Sequence, residues 1–276
     1  GHFADNRIVL DEQRLSDQEL REIDKVFVVA CGTAYHAGLL AKYAIEHWTR
    51  LPVEVELASE FRYRDPVLDR STLVVAISQS GETADTLEAV RHAKEQKAKV
   101  LAICNTNGSQ IPREADAVLY TRAGPEIGVA ATKTFLAQIV ANYLVGLALA
   151  QARGTKYPDE VQREYEELVA MPDLVARVLE HIGPVTELGR RFAQSPTVLF
   201  LGRHVGNDGT RLASNRAYRI RRRFEIAGSD YITTVLIAPL LRCLTQAEDS
   251  LVVNNNAASL FLLLQEVAKG REVIVS

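Results

Sequence analysis

The chain is poor in cysteine and carries no export signal that can be read from its sequence. Its 276 residues include three cysteines, Cys31, Cys104 and Cys243, an odd set without the spacing of metal ligands. Cys31 and Cys104 each close a predicted strand, where a small buried thiol fits well. We therefore expect no metal site and a reducing, cytoplasmic setting.

Long apolar runs and excess charge are also missing. We expect no run to reach the roughly 20 residues of a membrane span, and the net charge is only −3. Six arginines between Arg211 and Arg223 could suggest nucleic-acid binding. A solvated helix face is the simpler interpretation in an acidic chain without a second basic patch. We therefore expect a soluble globular protein with neither a nucleic-acid nor a membrane partner.

The most informative stretch is Ser78-Gln79-Ser80-Gly81-Glu82-Thr83. It follows an apolar run at 73–77 that predicts a buried strand, and it precedes a helical pattern at 84–97. Such a turn offers unpaired backbone N–H groups, a helix dipole and three hydroxyls, which together suit an anion. The stretch lacks the lysine and the spacing of a nucleotide-binding loop, so a phosphomonoester fits better. The alternative is an ordinary Ser/Thr helix cap.

Strands and helices alternate along the first half of the chain. This order predicts an α/β fold, a three-layer sandwich whose parallel sheet is covered by helices on both faces. Ligands on such sheets bind beyond the carboxyl ends of the strands. The loops that start at Cys31 and Ser78 both lie at such ends, which favours the ligand interpretation. The predicted strands are 26–30, 53–57, 73–77, 100–104 and 117–120.

The chain divides into four segments by composition. A polar lead-in with one short helix precedes the first α/β lobe, whose last helix is predicted at about 129–152. Linker helices and a strand at 197–201 then begin a partial second α/β lobe. The amino-acid composition changes again after Gly206. The predicted segments are 1–25, 26–152, 153–206 and 207–276.

Four motifs in one register carry a family resemblance: Cys31–His36, Ala58–Asp65, Ser78–Thr83 and Gly124–Lys133. With them, about 15–206 resembles the isomerase half of the glutamine–fructose-6-phosphate aminotransferases, the glucosamine-6-phosphate synthases of hexosamine biosynthesis. The resemblance implies a sugar isomerase (SIS) domain, a flavodoxin-like parallel sheet with helices on both faces.

The resemblance also implies a ligand and a site. The ligand is a hexose 6-phosphate, fructose-6-phosphate or glucosamine-6-phosphate, with no cofactor, and a homodimer is the candidate assembly. The residues that would hold the phosphate are Thr33, Ser78, Gln79, Ser80 and Thr83. Those that would contact the sugar are Glu126, Val129 and Ala131.

The catalytic groups of that family have no counterpart after Gly206. The family uses a helix glutamate to move the proton, a histidine to open the sugar ring and a lysine near its C-terminus to form a Schiff base. The amino-transfer half is absent from this chain as well. We therefore expect no catalytic residue, and three hypotheses stay open: an isomerase domain, a non-catalytic sugar-phosphate-binding module, or a structural chimera with vestigial sites.

The tail carries a second resemblance. About 247–276, including Asn254-Asn255-Asn256-Ala257-Ala258, is similar to bacterial selenocysteine synthase, a fold-type I pyridoxal-phosphate enzyme. The lysine that would carry the cofactor is missing, so the asparagines are expected to act as a helix cap. Together the two resemblances predict a fusion.

Overall fold

The computed structural model describes residues 3–4, 6–126 and 131–181, together with residues 183, 184, 186, 187 and 190. The predicted strand at 197–201, the divergent tail 207–276 and the candidate sugar contact Val129 lie outside these residues. The elements run in the following order: β1 (Phe3–Ala4), β2 (Arg7–Ile8), β3 (Glu12–Gln13), α1 (Asp17–Arg21), β4 (Lys25–Ala30), α2 (Gly32–Thr49), β5 (Val53–Leu57), α3 (Ala58–Arg64), β6 (Thr72–Ser78), α4 (Ala84–Glu95), β7 (Lys99–Cys104), α5 (Gln110–Glu114), β8 (Ala117–Tyr120), α6 (Lys133–Arg153) and α7 (Pro158–Glu180).

Five parallel strands form the centre of the fold. The six-stranded sheet has the order β3-β8-β7-β6-β4-β5, and only β3 runs antiparallel to its neighbour. The parallel strands thus follow the flavodoxin-like order 2-1-3-4-5. The predicted parallel α/β sheet is confirmed, and its strand bounds match the sequence pattern to within one residue.

The strands are buried on both sides, which is why they read as continuous apolar runs. Along β4, Val26, Val28 and Ala30 belong to one hydrophobic cluster, while Phe27 and Val29 belong to the other. The period of two places successive side chains on opposite faces. The first cluster includes residues of α1, α2 and α6, and the second includes residues of α3, α4 and α5. The described lobe is therefore a three-layer sandwich.

Helix α6 corrects one expectation about apolar runs. By length and composition it could cross a membrane, since its mean hydropathy reaches 1.5 over an 18-residue window. However, 61% of that window is buried inside the protein. Val145 and Leu147, both fully buried, lie in the same cluster as Ile45 of α2. The hydropathy of α6 is that of a core helix.

The lead-in is more ordered than the sequence predicted. Strand β3 extends the sheet by pairing Glu12 with Val118 of β8. A strand of two residues is too short to show an alternating pattern, so sequence analysis missed it. The short helix α1 was expected, and a capping box at Ser16 and Glu19 fixes its start.

The two-sided burial predicts a steep contrast between similar leucines. Leu101 of β7 is 2% exposed, whereas Leu136 on the outer face of α6 is 58% exposed. Leu101→Ala should lower the free energy of unfolding by about 2–5 kcal/mol, since it opens a cavity beneath the sheet. Leu136→Ala, the matched control, should change it by no more than about 0.5 kcal/mol. Denaturant unfolding measures both, and equal losses would contradict this assignment of the core.

Candidate functional site

The candidate site lies at the carboxyl edge of the sheet, between β4 and β6. Strand β4 pairs with β5 on one side and with β6 on the other, so the strand order reverses at this point. The crevice at such a reversal is the usual ligand site of open α/β sheets. Ala30 is in register with Ile77, so the loops after these two strands start side by side.

Ser78–Thr83, called the phosphate loop after the ligand that the sequence predicts for it, folds around its own hydroxyls. Ser78 is 2% exposed, and its Oγ lies 2.8 Å from Oγ1 of Thr83. The same Oγ accepts a hydrogen bond from the N–H of Gly81 at 3.0 Å. The Oγ of Ser80 accepts one from the N–H of Glu82 at 3.1 Å. These bonds bend the chain into a tight turn directly before α4.

Thr83 begins helix α4 without capping it through its side chain. Its carbonyl accepts the first helical bond from Leu87, at 2.9 Å, but its hydroxyl makes no cap hydrogen bond. The hydroxyl is turned towards Ser78 instead. The first-turn N–H groups of α4 therefore receive no acceptor from the N-cap side chain. This geometry argues against the ordinary Ser/Thr cap that was the alternative for this stretch.

The loop after β4 brings Thr33 to the same edge. Thr33 is the second residue of α2 and is half-buried, and the N-cap Cys31 makes no side-chain cap bond either. Burial, and after it the nearby Asp85 carboxylate of α4, raises the pKa of the Cys31 thiol. The two helix starts thus lie close together, and the thiol stays protonated at neutral pH.

Position 81 requires glycine for two reasons, its backbone conformation and the lack of space for a side chain. Its φ of +68° is a left-handed conformation that favours glycine. A Cβ at this position would lie 1.9 Å from Ser109 Oγ and 2.7 Å from Ser109 Cβ. The N–H of Ile111 donates to the Gly81 carbonyl at 3.0 Å. The phosphate loop therefore packs directly on the segment that follows β7.

Glu126 caps the start of α6. Its Oε2 accepts hydrogen bonds from the N–H of Thr134 at 3.1 Å, from the Thr134 hydroxyl at 2.9 Å and from the N–H of Thr132 at 3.2 Å. The bonds from Thr134, foremost that of its backbone, hold the pKa of the Glu126 carboxyl below its ordinary value. Helix α6 consequently begins at Lys133, later than the expected 129.

The candidate sugar contacts meet the structure in different ways. Glu126 lies in the loop after β8, and its carboxylate is engaged with α6. Ala131 is 5% exposed and clusters with Ala37 and Phe135. Val129 lies outside the described residues. No ligand contact tests any of these residues, so their role towards a sugar stays a prediction.

Sequence analysis missed the residues that join the loops. Both residues follow β7. Asn105 hydrogen-bonds to the loop after β8, and Ser109 lies where a Cβ on Gly81 would point. Neither residue belongs to a periodic pattern, and only the register of neighbouring strands brings them to the site. Their positions on the loop after a central strand were the one available signal.

Chemically, this edge offers hydroxyls and backbone N–H groups rather than a charged nucleophile. Within the part of the chain that the structure describes, no group of three His, Cys, Asp or Glu residues could hold a metal ion. The phosphate loop contributes the acidic Glu82, whose Oε1 accepts from the N–H of Gln110 at 2.9 Å. Hydrogen bonding, the dipole of α4 and the ammonium group of Lys133, which lies beside Gly124 in the loop after β8, are therefore the means available to hold an anion here.

Comparison with known proteins identifies the domain. Residues 19–148 match the family model of the SIS domain. Together with the flavodoxin-like sheet and the site at its switch point, this match shows that the described lobe is an SIS domain. In sequence it is similar to the isomerase half of the glutamine–fructose-6-phosphate aminotransferases.

The similar proteins support this assignment at high identity. The chain is 92% identical over 206 residues to the glutamine–fructose-6-phosphate aminotransferase [isomerizing] of Mycolicibacterium paratuberculosis, covering 75% of this chain and 33% of that protein. It is 68% identical over 198 residues to the same enzyme of Streptomyces coelicolor, covering 72% and 32%. The chain thus spans about a third of the length of these curated relatives.

Two further matches complete the comparison. The C-terminal domain of glucosamine-fructose-6-phosphate aminotransferase from Francisella tularensis is similar with a TM-score of 0.73 and 38% identity, covering 78% of this chain and 60% of that one. A family model described as L-seryl-tRNA selenium transferase matches residues 225–276 weakly. That second match agrees with the resemblance of the tail, and all of it lies outside the described residues.

The packing of the phosphate loop generates a matched test. Gly81→Ala places a methyl group against Ser109 at a positive φ, whereas Gly108→Ala has the same backbone strain (φ +69°) with its nearest neighbour 4.0 Å away. Both should lose the roughly 1 kcal/mol of a left-handed alanine. Gly81→Ala should lose about 1–3 kcal/mol more, since its neighbours have to move. Thermal unfolding measures the stability of both variants. Equal losses of stability would show that the phosphate loop moves away from Ser109 at no cost.

Proposed function

We propose that this chain binds a hexose 6-phosphate, fructose-6-phosphate or glucosamine-6-phosphate, with the phosphate at the phosphate loop. The single observation that carries the proposal is the pairing of the Ser78 and Thr83 hydroxyls at 2.8 Å. Because of it, Thr83 does not cap α4 through its side chain. The helix start is therefore available to an anion from outside the chain.

The surrounding residues favour a phosphomonoester on a small molecule. Ser80 and Gln79 are half-buried, so they border the turn without being sealed in the core. Thr33 adds a hydroxyl from the neighbouring loop at the switch point. A phosphate placed there would accept hydrogen bonds from the start of α4 and from these side chains. The remainder of the sugar would extend towards the loop after β8 and the start of α6.

The name of the relatives supports the choice of sugar. The similar proteins of Mycolicibacterium paratuberculosis and Streptomyces coelicolor are named for fructose-6-phosphate and for isomerisation. Identity of 92% and 68% across the SIS region makes a related ligand the simplest proposal for this chain. Since the match spans about a third of each relative, the transfer of nitrogen from glutamine is not proposed for this chain.

We expect the hydroxyls of the loop to control affinity. Ser80→Ala combined with Thr83→Ala removes two hydrogen bonds to a charged group, each worth about 1.5–3 kcal/mol. Binding of fructose-6-phosphate should weaken at least tenfold, because about 1.4 kcal/mol corresponds to a factor of ten. Calorimetric titration measures this change. Ser71→Ala combined with Thr155→Ala, which removes the same groups away from the site, should leave affinity unchanged. If the folded Ser80→Ala and Thr83→Ala double variant also binds with unchanged affinity, the site is elsewhere.

We also propose that this chain does not isomerise its ligand at the rate of the complete family enzymes. Isomerisation needs a base within hydrogen-bond reach of the C1–C2 protons, and such a group typically contributes about 10²–10⁴-fold. After Gly206 the sequence has an arginine-rich segment where the family resemblance calls for the glutamate helix. A second copy cannot restore a residue that every copy lacks.

An assay of purified protein for conversion of fructose-6-phosphate tests this point. We expect conversion at least about 100-fold slower than by an intact isomerase domain, with ligand binding retained. Turnover at the rate of the intact domain that is abolished by Glu126→Gln, or by Glu225→Gln at the first glutamate after Gly206, would identify a base that sequence analysis did not recognise. The same turnover insensitive to both variants would also refute the proposal.

A further inference from the structure

Asn105 contacts the phosphate loop and the loop after β8 at once. It is the first residue after β7, and it is half-buried at the carboxyl edge of the sheet. Its N–H donates to the carbonyl oxygen of Gln79 at 3.2 Å. The neighbouring Thr106 hydroxyl lies 3.4 Å from the same carbonyl. One end of Asn105 is therefore tied to the turn where the phosphate is proposed to bind.

The side-chain amide of Asn105 is tied to the loop after β8. Its Oδ1 accepts hydrogen bonds from the N–H of Ala123 at 2.8 Å and from the hydroxyl of Thr121 at 3.0 Å. Its Nδ2 donates to the carbonyl oxygen of Gly124 at 2.8 Å. Three bonds from one amide thus hold a loop that turns at Gly124 with a φ of +71° and leads directly to Glu126.

We propose that Asn105 is a positioning residue that sets the distance between the phosphate end and the sugar end of the site. The inference rests on the proposed function, since it assigns the two loops to the two ends of one ligand. A loop held in place before binding loses less entropy when the ligand arrives, which raises affinity for the part of the ligand that it contacts. Asn105 therefore favours a sugar phosphate over phosphate alone.

The chemistry of the amide explains why asparagine suits this position. Two of its bonds use an acceptor and the third uses a donor, and the asparagine side chain supplies both. A carboxylate of the same shape keeps the acceptors but places an oxygen against the Gly124 carbonyl. Alanine keeps none of the three bonds. Asn105→Asp and Asn105→Ala thus weaken the same contact by different routes.

The test compares two ligands across three variants. Fructose-6-phosphate and inorganic phosphate are titrated by calorimetry into the unchanged chain, Asn105→Ala, Asn105→Asp and the control Thr106→Ala. We expect Asn105→Ala to weaken fructose-6-phosphate about tenfold while phosphate changes less than about twofold. Thr106→Ala should leave the ratio of the two affinities unchanged, since the Thr106 hydroxyl contacts Gln79 but makes no bond to the loop after β8. If Asn105→Ala fails to fold, the two affinities are compared in Asn105→Asp instead.

Hydrogen exchange without ligand provides a second readout. In Asn105→Ala, the amide of Ala123 should exchange faster, whereas that of Gly81, bonded to Ser78, should not. Equal weakening of both ligands, or an unchanged ratio while the chain still binds fructose-6-phosphate, would overturn the positioning role and leave the proposed function intact. Failure of the unchanged chain to bind fructose-6-phosphate would overturn the proposed function and this role with it.

Discussion

The parallel pairing of β4 with β6 is the constraint on which the site depends. All six residues of β4 are in register with 72–77 of β6, so the two strands end within one residue of each other. A single residue, Cys31, separates β4 from α2, and the phosphate loop leads from β6 into α4, so the two helix starts face one edge of the sheet. Two helix N-termini and several hydroxyls converge there, which is the arrangement that the proposed anion site requires.

The hydroxyl pair of Ser78 and Thr83 converts a common motif into an open site. A Ser or Thr at a helix start usually bonds to the backbone N–H groups of its own helix. Here the buried Ser78 engages the Thr83 hydroxyl, and Gly81 completes the turn against Ser109. The turn is thereby stabilised from inside, and the start of α4 has no side-chain cap from Thr83. This order of bonds distinguishes the turn from an ordinary Ser/Thr cap, in which the N-cap hydroxyl would bond to the helix backbone.

The sequence could predict the strands and the phosphate loop because their signals are local. Runs such as 73–77 are apolar on both faces, and the motif Ser78–Thr83 follows one of them directly. The joining residues could not be predicted in the same way. Asn105 lies 16 residues before its partner Thr121 and 18 before Ala123, and only the register of β7 with β8 brings them together. Likewise, β3 was missed since its two residues form a strand only by pairing with β8.

Glu126, at the rim of the candidate site, serves the fold by fixing the start of α6. Its carboxylate accepts from Thr132 and Thr134, which fixes where α6 begins, and these bonds keep its pKa low. A carboxyl with a lowered pKa contributes stability above its ordinary pKa of 4.5 and loses that contribution as the pH falls through the lowered value. At neutral pH it is therefore a charged cap rather than a proton donor. Since Asn105 holds the loop that carries it, the start of α6 is coupled through two polar side chains to the turn that is proposed to bind phosphate.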